Sequence, residues 1–201
     1  MKYFSRAFDV VTFEQAKATV LTPDPNQPYK FQMETDYLIN KLDQAQLCNT
    51  NSTVLDFGCG MGRVSKALIE KFNCKVLGMD ISESMKIFAT LYVTQPKLFA
   101  CVDSFPDANS IDLALAILVL QHTEDPAKEI QGIFTALKPQ AHLILVNEHA
   151  RLVPVGADVN GYVMWNDDAF DVRAEILKYA DLVNSWPYIN SDKNIEVYRK
   201  R

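Results

Sequence analysis

Gly58, Gly60 and Gly62 alternate through Asp56-Phe57-Gly58-Cys59-Gly60-Met61-Gly62, and they are three of only seven glycines in 201 residues. Such a concentration marks main chain that must take positive φ or approach a ligand closely. The run follows the apolar Thr53-Val54-Leu55 and precedes an amphipathic stretch, so it lies between a strand and a helix. There an open parallel sheet presents its backbone to a nucleotide-like ligand, the alternative being a plain strand-helix turn. Spacing separates the possible ligands. A dinucleotide fingerprint beginning at Gly58 needs Gly or Ala at position 63, where the chain has Arg63. A nicotinamide-dependent oxidoreductase is therefore the second choice.

Other reactive residues fall at strand ends. Asp80 closes Val76-Leu77-Gly78-Met79-Asp80 and, with Ser82, could equally cap the following helix. Asp103-Ser104 follows a third apolar run and could be a solvated turn. An unperturbed histidine titrates at about pH 6.5, so His122 could take a proton from an attacking hydroxyl. It could instead bond backbone at a strand-helix junction. Glu148 and His149 raise the same choice at a fifth strand end, and Met85, at helical spacing from Phe88 and Ala89, can face a ligand or the core.

The elements that must position these residues follow from periodicity. From Thr53 onward short apolar runs alternate with amphipathic stretches, the pattern of strand-helix-strand units. Strands are expected at 53–57, 75–79, 97–102, 111–117 and 142–147, with helices at 62–72, 82–94 and 125–137. The last of these helices has Asp125 as its cap and Pro126 at its first position. Further on, a helix near 168–180 precedes strands at 182–189 and 195–199, joined by the turn-rich Asn190-Ser191-Asp192-Lys193. The fold class is α/β: a doubly wound, mostly parallel, seven-stranded sheet ending in an antiparallel hairpin. Ahead of it, Thr12-Phe13-Glu14-Gln15 has capping-box form, Pro23 to Pro28 forms an irregular loop, and Phe31 to Leu47 makes a second helix.

Composition bounds the function. One domain spans 1–201, divided into a helical cap at 1–47, a ligand-binding core at 53–148, and a loop, helix and hairpin at 149–201. The net charge of -5 and scattered cations give no footprint for nucleic acid. The longest apolar run, Leu113 to Leu120, falls short of the roughly 20 residues of a membrane span. Without a recognisable leader the expected location is cytoplasmic, and Cys48, Cys59, Cys74 and Cys101 read as reduced thiols. They have no spacing suited to a metal, and no metal site is expected. The state is expected to be a monomer or homodimer.

Val54-Leu55-Asp56-Phe57-Gly58-Cys59-Gly60-Met61-Gly62-Arg63 resembles the first motif of the class I, Rossmann-like methyltransferases of the small-molecule type, [D/E]-x-G-x-G-x-G. The likeness is strong over about 53–148. It implies S-adenosylmethionine (SAM) as cofactor, held by Asp56, Gly58, Cys59, Gly60, Gly62 and Ile117. It implies that Asp80 takes the ribose hydroxyls, Ile81 and Met85 the adenine faces, and Asp103 and Ser104 the adenine edge. A carboxylate suits the ribose because it accepts two hydrogen bonds and donates none. His122 becomes the candidate catalytic base. The partner implied is a small-molecule acceptor, and the loop from Arg151 to Trp165, with Tyr162 and Trp165, is expected beside it. A non-catalytic SAM-binding partner protein is the remaining alternative. The family's Leu-Lys-Pro-Gly-Gly is here Leu137-Lys138-Pro139-Gln140-Ala141, a turn without its glycines.

Overall fold

The computed structural model describes residues 8–21, 26–154, 162–164, 170–189 and 192–201. Five parallel strands carry the glycine motif and its neighbours: β1 (Thr53–Phe57), β2 (Lys75–Met79), β3 (Phe99–Val102), β4 (Ile111–Ile117) and β5 (Leu137–Val146). A short antiparallel ribbon, β6 (Leu152–Pro154) with β7 (Tyr162–Met164), stands apart. The main sheet ends in the hairpin β8 (Ala180–Pro187) and β9 (Asn194–Lys200), giving the order β3-β2-β1-β4-β5-β9-β8. β9 runs antiparallel to β5, as expected of the terminal hairpin.

Alternation along the strands builds a core on each face. Val54, Val76, Leu113 and Ile144 meet α2 (Lys30–Gln44), α3 (Arg63–Phe72) and α4 (Glu83–Val93). Leu55, Ala114, Leu143 and Tyr198 meet α5 (Pro126–Ala136) and α6 (Val172–Ile176). The remaining helix, α1 (Phe13–Val20), has the capping box read from sequence, with Thr12 and Gln15 exchanging side-chain-to-backbone bonds. Ala16 of α1 packs with Val10, Met61 and Met85 in a third, small cluster. Among the described residues no helix is long and apolar enough to cross a membrane.

Several boundaries differ from the sequence reading, among them the first hairpin strand, expected at 182–189 and found at Ala180–Pro187, and the second helix, which ends at Gln44 rather than Leu47. The helix expected near 168–180 spans only Val172–Ile176, because Ala180 already belongs to β8 and pairs with Lys200. The strand expected at 142–147 begins at Leu137, whose φ of -62° and ψ of 137° end α5 and start β5 at once. The third strand begins at Phe99 rather than 97, after a turn in which Phe99 N–H bonds Gln95 O. The turn that lacks its glycines forms with Gln140 at φ +63°, so glutamine bears the left-handed conformation.

Candidate functional site

The carboxyl ends of β1, β2 and β4 open into a cavity of about 450 Å³. At its floor β1 passes into the glycine loop, whose first amides, Gly58 N–H and Cys59 N–H, both bond Met79 O at 2.7 and 3.0 Å. Gly58 has φ +75°, and a Cβ there would stand 2.3 Å from Val119 Cγ2. Only glycine fits that position. Gly60, at φ +52°, gives its N–H to Asp80 Oδ2 at 2.8 Å, while Asp80 Oδ1 accepts Ser82 N–H at 2.9 Å. Burial pushes the Asp80 carboxyl above its usual range, and these backbone bonds draw it back.

Most of the expected cofactor residues meet here. Asp56, Gly58, Cys59, Gly60, Asp80, Ile81, Met85 and Ile117 all line the cavity. Met85 is also 1% exposed and packed against Met61, so it serves core and cavity together. Asp56 accepts a 2.6 Å bond from Ser65 Oγ, and burial raises its pKa to about 6. The structure places three residues elsewhere. Gly62 caps α3 at φ +85°, and a Cβ there would meet Val93 Cγ2 at 2.7 Å. Its missing side chain allows close packing of the loop on α4. Asp103 is exposed, ion-paired with Lys86, and borders a second cavity of about 260 Å³ that shares Gly58, Asp80 and Ile81 with the first. Ser104 is exposed and outside both linings.

His122 lies in a 3-10 turn, Leu120–His122, and lines the cavity with its ring centroid 6.0 Å from that of Phe8. Its Nδ1 is 2.8 Å from Leu152 O. A carbonyl only accepts, so Nδ1 carries the proton, and in the neutral ring Nε2 is the basic nitrogen. Gln121 Oε1 accepts Glu148 N–H at 2.8 Å, which turns the Gln121 amide nitrogen toward His122 Nε2 at 3.3 Å. Burial lowers the His122 pKa against the opposing Leu152 bond and Glu148 charge, which favours the neutral ring. Glu148 also lines the cavity and pairs with Lys193 Nζ at 2.8 Å. His149 instead borders a small polar cavity with Arg151 and Arg173.

Sequence reasoning missed the wall opposite Asp80. Glu34 of α2 and Tyr188, after β8, are 2% and 3% exposed, and the Tyr188 hydroxyl donates to Glu34 Oε2 at 3.2 Å. Arg63, read above only as the residue that spoils a dinucleotide fingerprint, stacks its guanidinium 5.1 Å from the Phe31 ring and bonds Phe31 O at 3.0 Å. Its Nε is buried without a hydrogen-bond partner among the described residues. Burial raises the Glu34 pKa against the opposing pull of Tyr188, Lys30, Arg63 and Lys193. The side chain of Tyr162, all of Trp165 and residues 1–7 lie outside the described residues.

With this geometry in view, comparison with known proteins is decisive on family. The methyltransferase domain model matches residues 29–201. The chain belongs to that family. A ubiquinone biosynthesis O-methyltransferase of Coxiella burnetii is 32% identical over 121 residues, covering 55% of this chain and 51% of the relative. Phosphoethanolamine N-methyltransferase 1 of Arabidopsis thaliana is 27% identical over 158 residues, 73% of this chain and 32% of the relative. This methyltransferase-family chain thus spans about half the length of the first relative and a third of the second. A solved S-adenosylmethionine dependent methyltransferase from Mesorhizobium loti superposes with a TM-score of 0.62 at 19% identity, covering 83% of this chain and 100% of that one. That likeness shows the shared fold. SAM is the cofactor the family implies, and the family assignment displaces the nicotinamide alternative.

Proposed function

We propose that this methyltransferase-family chain transfers the methyl group of SAM to a small-molecule acceptor. The observation that carries the reading is Asp80: one carboxylate oxygen holds the Gly60 amide and the other the Ser82 amide at the floor of the cavity. The carboxylate and the glycine loop therefore face the same space as one unit. The residues present fit the cofactor, since Gly58 has no room for a side chain and the cavity walls supply carboxylates for hydroxyl and ammonium groups. In this reading Asp80 holds the ribose, Asp56 and the Gly58–Gly60 backbone the methionine end, and Ile81 and Met85 the adenine. Asp103 serves the adenine edge from the adjoining cavity, and Gly62 and Ser104 support the loops.

When bound, SAM supplies an electrophilic methyl on a positively charged sulfur. The protein's work is to hold an acceptor nucleophile at about 3 to 3.5 Å in a space shielded from water. His122 Nε2 can take the proton of an acceptor hydroxyl or amine once that group replaces the Gln121 amide beside it. Phe8, from the cap, and Tyr188 and Lys193 of the carboxyl-terminal segment enclose the acceptor, in a cytoplasmic protein that is a monomer or homodimer.

Isothermal titration with S-adenosylhomocysteine and with NADH is the first test, followed by methyl transfer to a panel of phenols and small amines. Binding of S-adenosylhomocysteine alone, with turnover of one acceptor class, is the expected result. Tight binding with no turnover across the panel favours the non-catalytic partner protein instead. NADH binding in its place overturns the reading.

A further inference from the structure

Cys59 sits in the glycine loop, and its thiol donates to Gly60 O at 3.6 Å while lying over Gly78 of β2. It is 5% exposed, and its Sγ lies 2.9 Å from where a Cβ of Gly78 would be. The Phe99 ring stands as close on the other side, so Gly78 leaves the space that the thiol fills. In the register of β2 with β3, Gly78 is the partner of Cys101. Partner residues on parallel strands project from the same face about 4.8 Å apart. The strand pairing therefore brings the Cys101 thiol, which donates to Lys86 O at 3.5 Å, beside that of Cys59.

The two differ in access. Cys101 is partly exposed, whereas Cys48, Cys59 and Cys74 are buried. The Cys59 thiol, the Thr90 hydroxyl and the Lys86 ammonium all draw the Cys101 thiol below its usual pKa. The neighbouring Cys101 thiol, burial and the nearby Asp56 and Asp80 charges hold Cys59 well above it. An accessible thiol that ionises readily, next to a buried thiol that does not, is the arrangement of an oxidisable cysteine and its resolving partner.

We propose that Cys101 is an oxidation site for hydroperoxides and that Cys59 resolves it, closing a disulfide beneath the cofactor loop. The Cys101 thiolate attacks one peroxide oxygen, the O–O bond breaks, and the departing oxygen takes a proton to leave as water when the oxidant is hydrogen peroxide. The product is Cys101 sulfenic acid. Cys59 then loses its proton and attacks the sulfenic sulfur, and the hydroxide expelled takes up that proton as a second water. Two thiols are oxidised by two electrons, and one peroxide is reduced to two waters. A dithiol reverses the bond by exchange.

The disulfide acts on the loop through Cys59. Drawing two sulfurs from contact to a bond of about 2.05 Å pulls Cys59 toward β3. Its neighbour Gly60 is fixed by the Asp80 bond at 2.8 Å, so the loop's backbone must shift around that anchor. Cofactor affinity then falls, a consequence that rests on the cofactor reading of this loop.

The test treats the 201-residue chain with hydrogen peroxide, alkylates the remaining thiols, and locates each linkage by fragmenting the tryptic peptides, because Cys48 and Cys59 share the peptide 42–63. A Cys59–Cys101 linked peptide, abolished by dithiothreitol and by Cys101→Ser, is expected. Cys59→Ser should halt the reaction at a Cys101 sulfenic acid that dimedone captures. Titration should show S-adenosylhomocysteine affinity reduced by at least about fivefold in the oxidised wild type and restored on reduction. Cys48 and Cys74, buried together in the main core, are a second thiol pair and the internal comparison. Linkage of Cys48 to Cys74 in place of Cys59 to Cys101, or no oxidation of Cys101, overturns the proposal. Linkage with unchanged affinity overturns its effect on the loop. If the reduced protein fails to bind S-adenosylhomocysteine, the cofactor reading fails, and the linked peptide still decides the cysteine pairing.

Discussion

The Asp56 carboxylate accepts a 2.6 Å hydrogen bond from the Ser65 hydroxyl, and both side chains are shut off from solvent, at 2% and 0% exposure. Burial dominates this pair, raising Asp56 to about pH 6 against the opposing pull of Ser65 and of the Arg63 charge. A carboxyl whose folded pKa lies above its unfolded value binds more protons in the native state between the two, so stability falls as pH rises through that window. Against the opposite effect of His122 and His142, whose pKa values burial lowers, Asp56 should remove on the order of 2–3 kcal/mol of stability between about pH 4 and pH 6. Glu34, Asp80 and Glu129, also raised by burial, add in the same direction. Urea unfolding across that range should show a shallower slope in Asp56→Asn. Equal slopes would mean that Asp56 is ionised throughout.

Asp80 ties two backbone amides and faces the cavity, so its removal should register twice. Asp80→Ala should weaken S-adenosylhomocysteine binding at least about tenfold, since a charged hydrogen bond contributes about 1.5–3 kcal/mol. It should also lower stability, because Gly60 N–H and Ser82 N–H lose their partner. Calorimetry on a folded variant decides the point: unchanged affinity removes Asp80 from the site.

For His122 the expected signature is kinetic. Its Nδ1 is committed to Leu152 O, so His122→Asn should abolish base function while leaving S-adenosylhomocysteine affinity within about twofold. In wild type, kcat should fall as the pH drops through the burial-lowered pKa of the ring, and the variant should lack that limb. Equal losses of affinity and melting temperature, with no change in the pH profile, would make His122 a structural link to β6.

How far the sequence spoke depended on how local each signal was. The strands flanking Gly58 and the cap Asp125 of α5 were readable because strand period, turn and cap all lie within a few residues. Gly62 shows the limit of motif reading: it alternates with Gly58 and Gly60, yet its missing side chain makes room for Val93 on α4. The Glu34–Tyr188 bond joins residues 154 apart, and nothing in either neighbourhood announces the other. The helix expected up to 180 fails for a similar reason. Arg173-Ala174-Glu175-Ile176 and Lys178-Tyr179-Ala180 continue a helical pattern, and only the pairing of Ala180 with Lys200 makes it a strand.

Gln140 offers a test of backbone strain away from the site. Its φ of +63° costs an L-residue about 1–2 kcal/mol relative to an ordinary conformation, and glycine escapes that cost. Part of the relief is offset by the greater freedom of glycine in the unfolded chain, and part by loss of the 3.4 Å bond from Gln140 Nε2 to Lys200 O. Gln140→Gly should therefore raise stability by about 0.5–1 kcal/mol, with Gln140→Val well below wild type. Denaturant midpoints that fail to rank glycine above valine would place the strain elsewhere.

The last prediction separates the two helices of the amino-terminal region. Leu38, Ile39 and Leu42 of α2 are buried in the main core with Leu68 and Phe72 of α3, so α2 is scaffold over most of its length. Leu38→Ala should cost about 2–5 kcal/mol, the range for emptying a packed leucine site. α1 has a lighter attachment: Ala16 in a four-residue buried cluster and an edge contact of Phe13 with Phe88 at 5.9 Å. Yet α1 reaches the cavity through Thr19 and Val20, and Val20 Cγ2 would lie 3.4 Å from a Cβ on Gly60. A helix weakly fixed to the core but seated on the glycine loop should gain order from a ligand bound there. Trypsin should cut at Lys17 in the free protein and more slowly with S-adenosylhomocysteine present. A chain lacking residues 1–21 should still fold, by circular dichroism and a cooperative melt, and should bind the ligand at least about fivefold more weakly. If the shortened chain binds as tightly as the full one, α1 is no cover for the cofactor. If it fails to fold, α1 belongs with α2 in the scaffold, and unchanged cleavage at Lys17 with ligand would say the same.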